Sequence, residues 1–317
     1  MRKGQNPAKF VKDVAKPERI TAAMLTYIPF LSGFYEETLD VLKVSLDSMR
    51  KDAGLPFDLL VFDNGSCPEA RDYLIKEKEA GRIQYLILSE KNIGKGGAWN
   101  VILTGAPGEI IAYADSDVLF SPNWLARSVE ILETYPNVGM VTARPFRTPP
   151  EFYSATLDWA RDADAATLED GQFIPWETFL EFNLSLGQTQ EENKKVYAET
   201  VDWKTTYKGV TAMAGASHWQ FTAYKSTLQQ FLPFDMSRPM GQVRQLDQRM
   251  NEAGLLRLMV SDPLAMNMSN TLGYLRGELG KEQPKQKPSL GKRVLGFAPI
   301  KKILLAIYNK IFSWYYS

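Results

Sequence analysis

The stretch of this 317-residue chain richest in chemical possibility is IIAYADSDVLF, residues 110–120. An apolar run that reads as a buried strand, 110–114, stops at Asp115, Ser116 and Asp117 before the chain turns apolar again. Side chains two apart on an extended segment point the same way, so both carboxylates can face one crevice. Unpaired, two anions at the end of a buried strand are costly. A divalent cation removes that cost, and hard carboxylate oxygens select Mg2+ or Mn2+. One carboxylate on the metal and one on a ribose hydroxyl would seat a nucleotide diphosphate. The ordinary alternative is that the two acids cap the helix that follows.

Three other polar clusters follow apolar runs: Thr26-Tyr27 in the run 20–28, Asp63-Asn64-Gly65-Ser66 after FDLLVF (57–62), and Asn92-Ile93-Gly94-Lys95-Gly96-Gly97 after IQYLIL (83–88). Strands expected at 20–28, 57–62, 83–88, 110–114 and 138–142 alternate with helices expected at 35–50, 68–80, around 97–103, and 122–135 with Ser121 as its cap. That rhythm predicts an α/β fold with a doubly wound, mainly parallel sheet covered by helices on both faces. In such sheets ligands bind beyond the carboxyl ends of the strands. Each cluster alone is turn or capping chemistry; four on one rim predict a nucleotide site. Gly94, Gly96 and Gly97 let backbone amides approach an anion at a helix start, and Lys95 can offset diphosphate charge. The glycines fit neither the Walker nor the dinucleotide-binding pattern.

After Arg144 the rhythm breaks. Residues 150–205 show helical patches and no clear strand, and are expected to form an insertion over an acceptor, where aromatics such as Trp159, Trp176 and Trp203 suit stacking on sugars. The pattern then predicts an extended segment at 204–214, mainly helix at 218–230, a helix at 242–253 and a strand at 255–260. The expected organisation is an N-terminal extension (1–19), a nucleotide-binding βαβ half (20–145), an acceptor-side half (146–280) and a basic linker with an amphipathic tail helix (281–317).

The order D-N-G-S, N-x-G-x-x-G-A-x-N, D-S-D-V on β-α-β units, over roughly residues 20–145, resembles the family-2 glycosyltransferases of the GT-A fold. The resemblance implies that Thr26, Tyr27 and Asp63 hold the nucleoside base, that Asp115 lies near the ribose, and that Asp117 holds the metal. A shorter likeness, RQLDQRMNEAGLLRLMV, resembles the family's acidic motif and implies Asp247 as the proton-accepting acid, with Glu252 as the fallback; the ordinary alternative for Asp247 is a helical surface charge. Many members carry a metal-binding histidine after this motif. Here Asp262 or Asn267 stands near that place, which leaves the metal to Asp117, diphosphate and water. The single histidine, His218, precedes the motif and is expected to line the acceptor cleft beside Trp219. The activity implied is inverting transfer of a sugar from a nucleotide-diphospho-sugar to a glycan or lipid-linked glycan. The alternatives are a sugar-phosphate nucleotidyltransferase and a non-catalytic nucleotide-sugar-binding protein.

Thirty-seven basic and 37 acidic residues cancel, which makes no case for nucleic acid. From Lys281 onward, however, eight Lys/Arg face one Glu. This basic tail continues into an apolar helical pattern at 300–311 that suits a membrane interface through residues 292–317. The N-terminus lacks a signal-peptide apolar core, and the single cysteine, Cys67, fits a reducing compartment. The expectation is a cytoplasmic protein able to rest on the inner face of the cell membrane.

Overall fold

The computed structural model describes residues 4–236 and 243–278. The tail expected at 281–317 lies outside them. The first half runs β1 (Ile20–Thr26), α1 (Thr38–Arg50), β2 (Asp58–Asp63), α2 (Pro68–Glu79), β3 (Tyr85–Leu88), α3 (Gly94–Gly105), β4 (Ile110–Asp115), β5 (Val118–Phe120), α4 (Trp124–Thr134) and β6 (Val138–Thr142). The second half runs α5 (Ser154–Asp162), β7 (Ala166–Gly171), α6 (Trp176–Ser185), α7 (Gln190–Glu199), β8 (Asp202–Tyr207), β9 (Val210–Ala214), β10 (Gln220–Tyr224), α8 (Lys225–Gln229), α9 (Val243–Glu252), β11 (Leu256–Met259) and β12 (Ala265–Asn267).

Ten strands form one sheet in the order β3-β2-β1-β4-β10-β6-β11-β9-β8-β7. Four parallel strands, β3 to β4, make one side of it. β10 enters antiparallel between β4 and β6, and β11 joins β6 in parallel. An antiparallel run β9-β8-β7 finishes the sheet, and β5 pairs with β12 apart from it. Alternate residues of β1 show why its strands are apolar throughout. Ile20, Ala22 and Met24 pack with α1, α2 and α4, whereas Ala23 and Leu25 pack with α3, α8 and α9. Helices therefore cover both faces, and a strand buried on both sides has no polar face to show.

Three expectations fail for identifiable reasons. The 150–205 region does contain a strand, β7, while the extended segment expected at 204–214 holds most of β8 and all of β9. β7 lies at the sheet edge, alternates between exposed and half-buried residues and carries Glu169 and Asp170, so no apolar run announces it. The region 218–230 is a fully central strand followed by only five helical residues, not mainly helix. Its apolar side chains are too few to separate a period of two from one of 3.6. Ser121 does not cap α4: its carbonyl accepts from Trp124 N, and Asn123, in the left-handed region at φ 65°, occupies the cap position.

Candidate active site

The D-N-G-S turn and the N-x-G loop are locked together. Asn64 Oδ1 accepts from Ile93 N at 2.9 Å while its amide donates to Asn92 Oδ1 at 2.9 Å, and that same oxygen accepts from Gly94 N at 2.8 Å. Gly65 sits at φ 86°, and a Cβ there would lie 2.8 Å from the Lys91 carbonyl carbon, so only glycine permits this approach. Asp63 and Thr26 are register partners at the ends of adjacent strands. Asp63 is completely buried, accepts from Ser66 N and has Arg71 Nε 3.3 Å from Oδ2. Burial pushes its carboxyl up, with Ser66 and Arg71 opposing. Thr26 Oγ1 is buried with no partner. Tyr27, half-buried, lies next along the same rim.

The acid pair does not share an extended segment, as the spacing argument assumed. β4 ends at Asp115 and Ser116-Asp117 form a turn into β5. The two carboxylates are consequently placed in different surroundings. Asp115 Oδ2 lies 2.7 Å from Lys95 Nζ, and its Oδ1 accepts from Tyr113 OH at 2.6 Å. Lys95, one residue into α3, is buried with its ammonium over the rings of Trp99 and Tyr113, so its charge is directed at Asp115. Asp117 receives neither hydrogen bond, and the Lys95 charge only partly offsets its burial. Its Oδ1 is buried without a partner, and burial, followed by the charge of Asp115, raises its carboxyl to about 7. The Asp117 carbonyl accepts from Met268 N at 2.7 Å, and β12 sets Asn267 opposite Val118. Asn267 therefore does stand beside the acid pair, whereas Asp262 is exposed.

These residues fit a divalent cation of one kind. Among the described residues no group of three or more His, Cys, Asp or Glu could hold a metal by itself. A lone, desolvated carboxylate oxygen beside a second acid suits an Mg2+ or Mn2+ ion that completes its shell with phosphate oxygens and water.

Across the rim, Asp247 is drawn into a different arrangement. It is 6% exposed on α9 and both oxygens are used: Oδ1 faces Arg257 Nη2 at 2.5 Å and Oδ2 faces His218 Nδ1 at 2.5 Å. This is not the surface charge that a helical acid would ordinarily be. Arg257, in the middle of β11, is 1% exposed and also donates to the carbonyls of Phe152 and Ala216. Glu252, the fallback acid, is exposed and accepts from Gln248. Trp219 is buried against Phe146 and Phe182 and belongs to the core rather than to a cleft wall. Aromatics of 150–205 likewise pack inside the protein: Trp159 with Tyr135 and Tyr207, Trp176 with Phe179 and Tyr197. Arg257 and Tyr113 escaped notice in the sequence. An arginine inside LLRLMV is a signal that could have been read, because a charge in a buried strand needs a partner.

Residues 33–184 match glycosyl transferase family 2. That stretch is a family-2 glycosyltransferase domain. It includes Asp63, Asp115 and Asp117; His218, Asp247 and Arg257 lie beyond it. An uncharacterised glycosyltransferase of Nostoc sp. is 28% identical over 97 residues, a match that spans 31% of this chain and 30% of that protein. Among solved structures, a mannosyltransferase from Pyrobaculum calidifontis in complex with GDP-Man and Mn2+ is 18% identical, with 78% of this chain and 55% of that one covered and a TM-score of 0.43. TarS residues 1–349 of S. aureus in complex with UDP-GlcNAc is 14% identical, with coverage of 78% and 57% and a TM-score of 0.46.

Proposed function

We propose that the chain is an inverting glycosyltransferase that moves a hexosyl group from a nucleotide-diphospho-sugar to a hydroxyl of a glycan or lipid-linked glycan. The observation that carries this reading is the buried, partnerless oxygen of Asp117 beside Asp115, at the strand-end rim of a family-2 glycosyltransferase domain. Thr26, Tyr27 and Asp63 lie where a nucleoside base would rest, and Thr26 offers a hydroxyl with no protein partner. Asn92, Gly94 and the start of α3 border the space that a diphosphate would take, where helix-start amides favour an anion. Asp115, held by Lys95 and Tyr113 but with 29% of its side chain exposed, keeps lone pairs that can accept from a ribose hydroxyl. Asp117 would hold the Mn2+ or Mg2+, which when bound supplies Lewis-acid stabilisation of the leaving diphosphate.

The acceptor oxygen attacks the anomeric carbon from the face opposite the diphosphate, so the new bond forms as the sugar–phosphate bond breaks and configuration inverts. Its proton leaves through the Asp247–His218 pair, which takes the general-base role. A lipid-linked acceptor would suit the basic, apolar tail expected at 292–317 and an enzyme on the cytoplasmic face of a membrane. Among the described residues no helix is long and apolar enough to cross one.

The purified chain, Mn2+ and a panel of UDP-, GDP- and dTDP-sugars test the proposal. The expected result is donor turnover that disappears in Asp117→Ala. Donor binding without turnover in the presence of acceptor would instead favour a binding protein.

A further inference from the structure

We infer that the group receiving the acceptor proton is His218 Nε2, and that Asp247 positions this histidine rather than acting as the base itself. The inference rests on the transferase reading above and assigns one of its steps.

The first support is the saturation of Asp247. Its two oxygens are taken by Arg257 and His218, and it is 6% exposed, so a substrate hydroxyl could reach it only by displacing one of them. Arg257 is almost completely enclosed, and Asp247 is the carboxylate opposite its charge among the described residues. A proton placed on Asp247 would leave that buried guanidinium without its counter-ion, which is among the costly events in a protein interior.

The second support is the orientation of the imidazole. A carboxylate only accepts hydrogen bonds, so Nδ1 carries the proton that it donates to Asp247 Oδ2, and in the neutral ring Nε2 is left with its lone pair. Among the described residues Nε2 has no hydrogen-bond partner, and the His218 side chain keeps 27% of its surface exposed.

The third support is placement. Asp115 N donates to the Trp219 carbonyl at 2.9 Å, continuing the β4–β10 ladder, so His218 is the next residue along the rim from the Asp115–Asp117 turn. The segment that carries it is held from several sides. Ser217 N donates to Thr142 Oγ1 at 2.9 Å, Gly215 N donates to the Arg257 carbonyl at 2.9 Å, and Arg257 reaches the Ala216 carbonyl. A base fixed in this way needs no reorganisation to act.

The step balances without another reactant. The acceptor oxygen forms its bond to the anomeric carbon, the anomeric carbon–phosphate oxygen bond breaks with its electron pair leaving on the nucleoside diphosphate, and the hydroxyl proton passes to His218 Nε2. The imidazolium that results faces the Asp247 carboxylate. Loss of that proton to solvent resets the ring.

Imidazole rescue tests the assignment, with the full chain, Mn2+ and the donor that the panel identifies. His218→Ala should lower turnover about 100-fold or more, leave the affinity for the matching nucleoside diphosphate with Mn2+ unchanged, and regain activity as free imidazole is added. His218→Gln, which fills the site and can still donate to Asp247, should be as inactive and not respond to imidazole. Turnover that persists within about threefold in both variants while Asp247→Asn abolishes it would make Asp247 the base and overturn this inference alone. A lack of any donor turnover by the unaltered chain would overturn the transferase reading and this step with it.

Discussion

The two halves of the rim differ in what they leave unpartnered. On the side of β1, β2 and β4, Asp117 keeps a buried oxygen with no partner and Thr26 a buried hydroxyl with none. Around β10, β11 and α9, Asp247 has given both oxygens to protein partners. The first arrangement is unfinished, and a ligand would complete it. The second is finished and can only orient what it touches. A buried acid therefore says little about function until its partners are counted: the unsatisfied one points to a bound cation, the satisfied one to a scaffold for its neighbour.

Substitutions should separate the two halves sharply. Asp117→Ala should lower donor turnover by about 10³-fold, equivalent to about 4 kcal/mol of transition-state stabilisation, while the thermal midpoint of the metal-free protein at pH 7.5 stays equal or rises. Arg257→Met should do the reverse in kind. It strands a buried carboxylate together with the carbonyls of Phe152 and Ala216, so denaturant unfolding should show a loss of about 3–5 kcal/mol. If Asp117→Ala destabilises as strongly as Arg257→Met, the contrast between the halves is wrong.

Gly65→Ala probes how firmly the β1–β4 side is built. It forces a side chain into the left-handed region and against the Lys91 backbone, at a cost of about 1–3 kcal/mol in unfolding free energy. A neutral result would mean that the two loops do not need their present closeness.

The remaining expected effect is one of pH. Asp117 has a folded-state value of about 7, above its ordinary 3.8, so ionisation favours the unfolded chain. The stability of the metal-free protein relative to Asp117→Asn should accordingly fall as pH rises from about 4 to 7, by at most about 1.4 kcal/mol per unit, and level off above. Parallel pH curves for the two proteins would show that the desolvation of Asp117 is not felt.

The same division governs what could be read from the sequence. The β1–β4 side is assembled from consecutive β-α units, and its polar residues sit where each strand ends. Asp63, Asn92, Asp115 and Asp117 could thus be picked out from apolar runs and the turns after them. The β10–β11–α9 side joins His218, Asp247 and Arg257 from a loop, a helix and a strand spread over forty positions. No local pattern links them. Asp247 was found only through a family likeness, Arg257 was hidden by the apolar strand around it, and His218 was placed in the cleft without its partner. The strands β7 and β10 escape the sequence pattern for a related reason. β7 is half-buried and polar, and β10 is too short for its period to show. Geometry also revised one local argument. Asp115 and Asp117 meet across a turn, and it is the turn that lets Lys95 and Tyr113 claim one acid and leave the other bare.

The most direct test of the account is calorimetric titration of UDP, GDP and dTDP into the protein, with and without Mn2+, for the unaltered chain and Asp117→Ala. The account predicts that at least one nucleotide binds ten or more times more tightly when Mn2+ is present, and that Asp117→Ala erases this gain while leaving the metal-free affinity as it was. Nucleotide binding that is indifferent to Mn2+ and identical in the variant would contradict it.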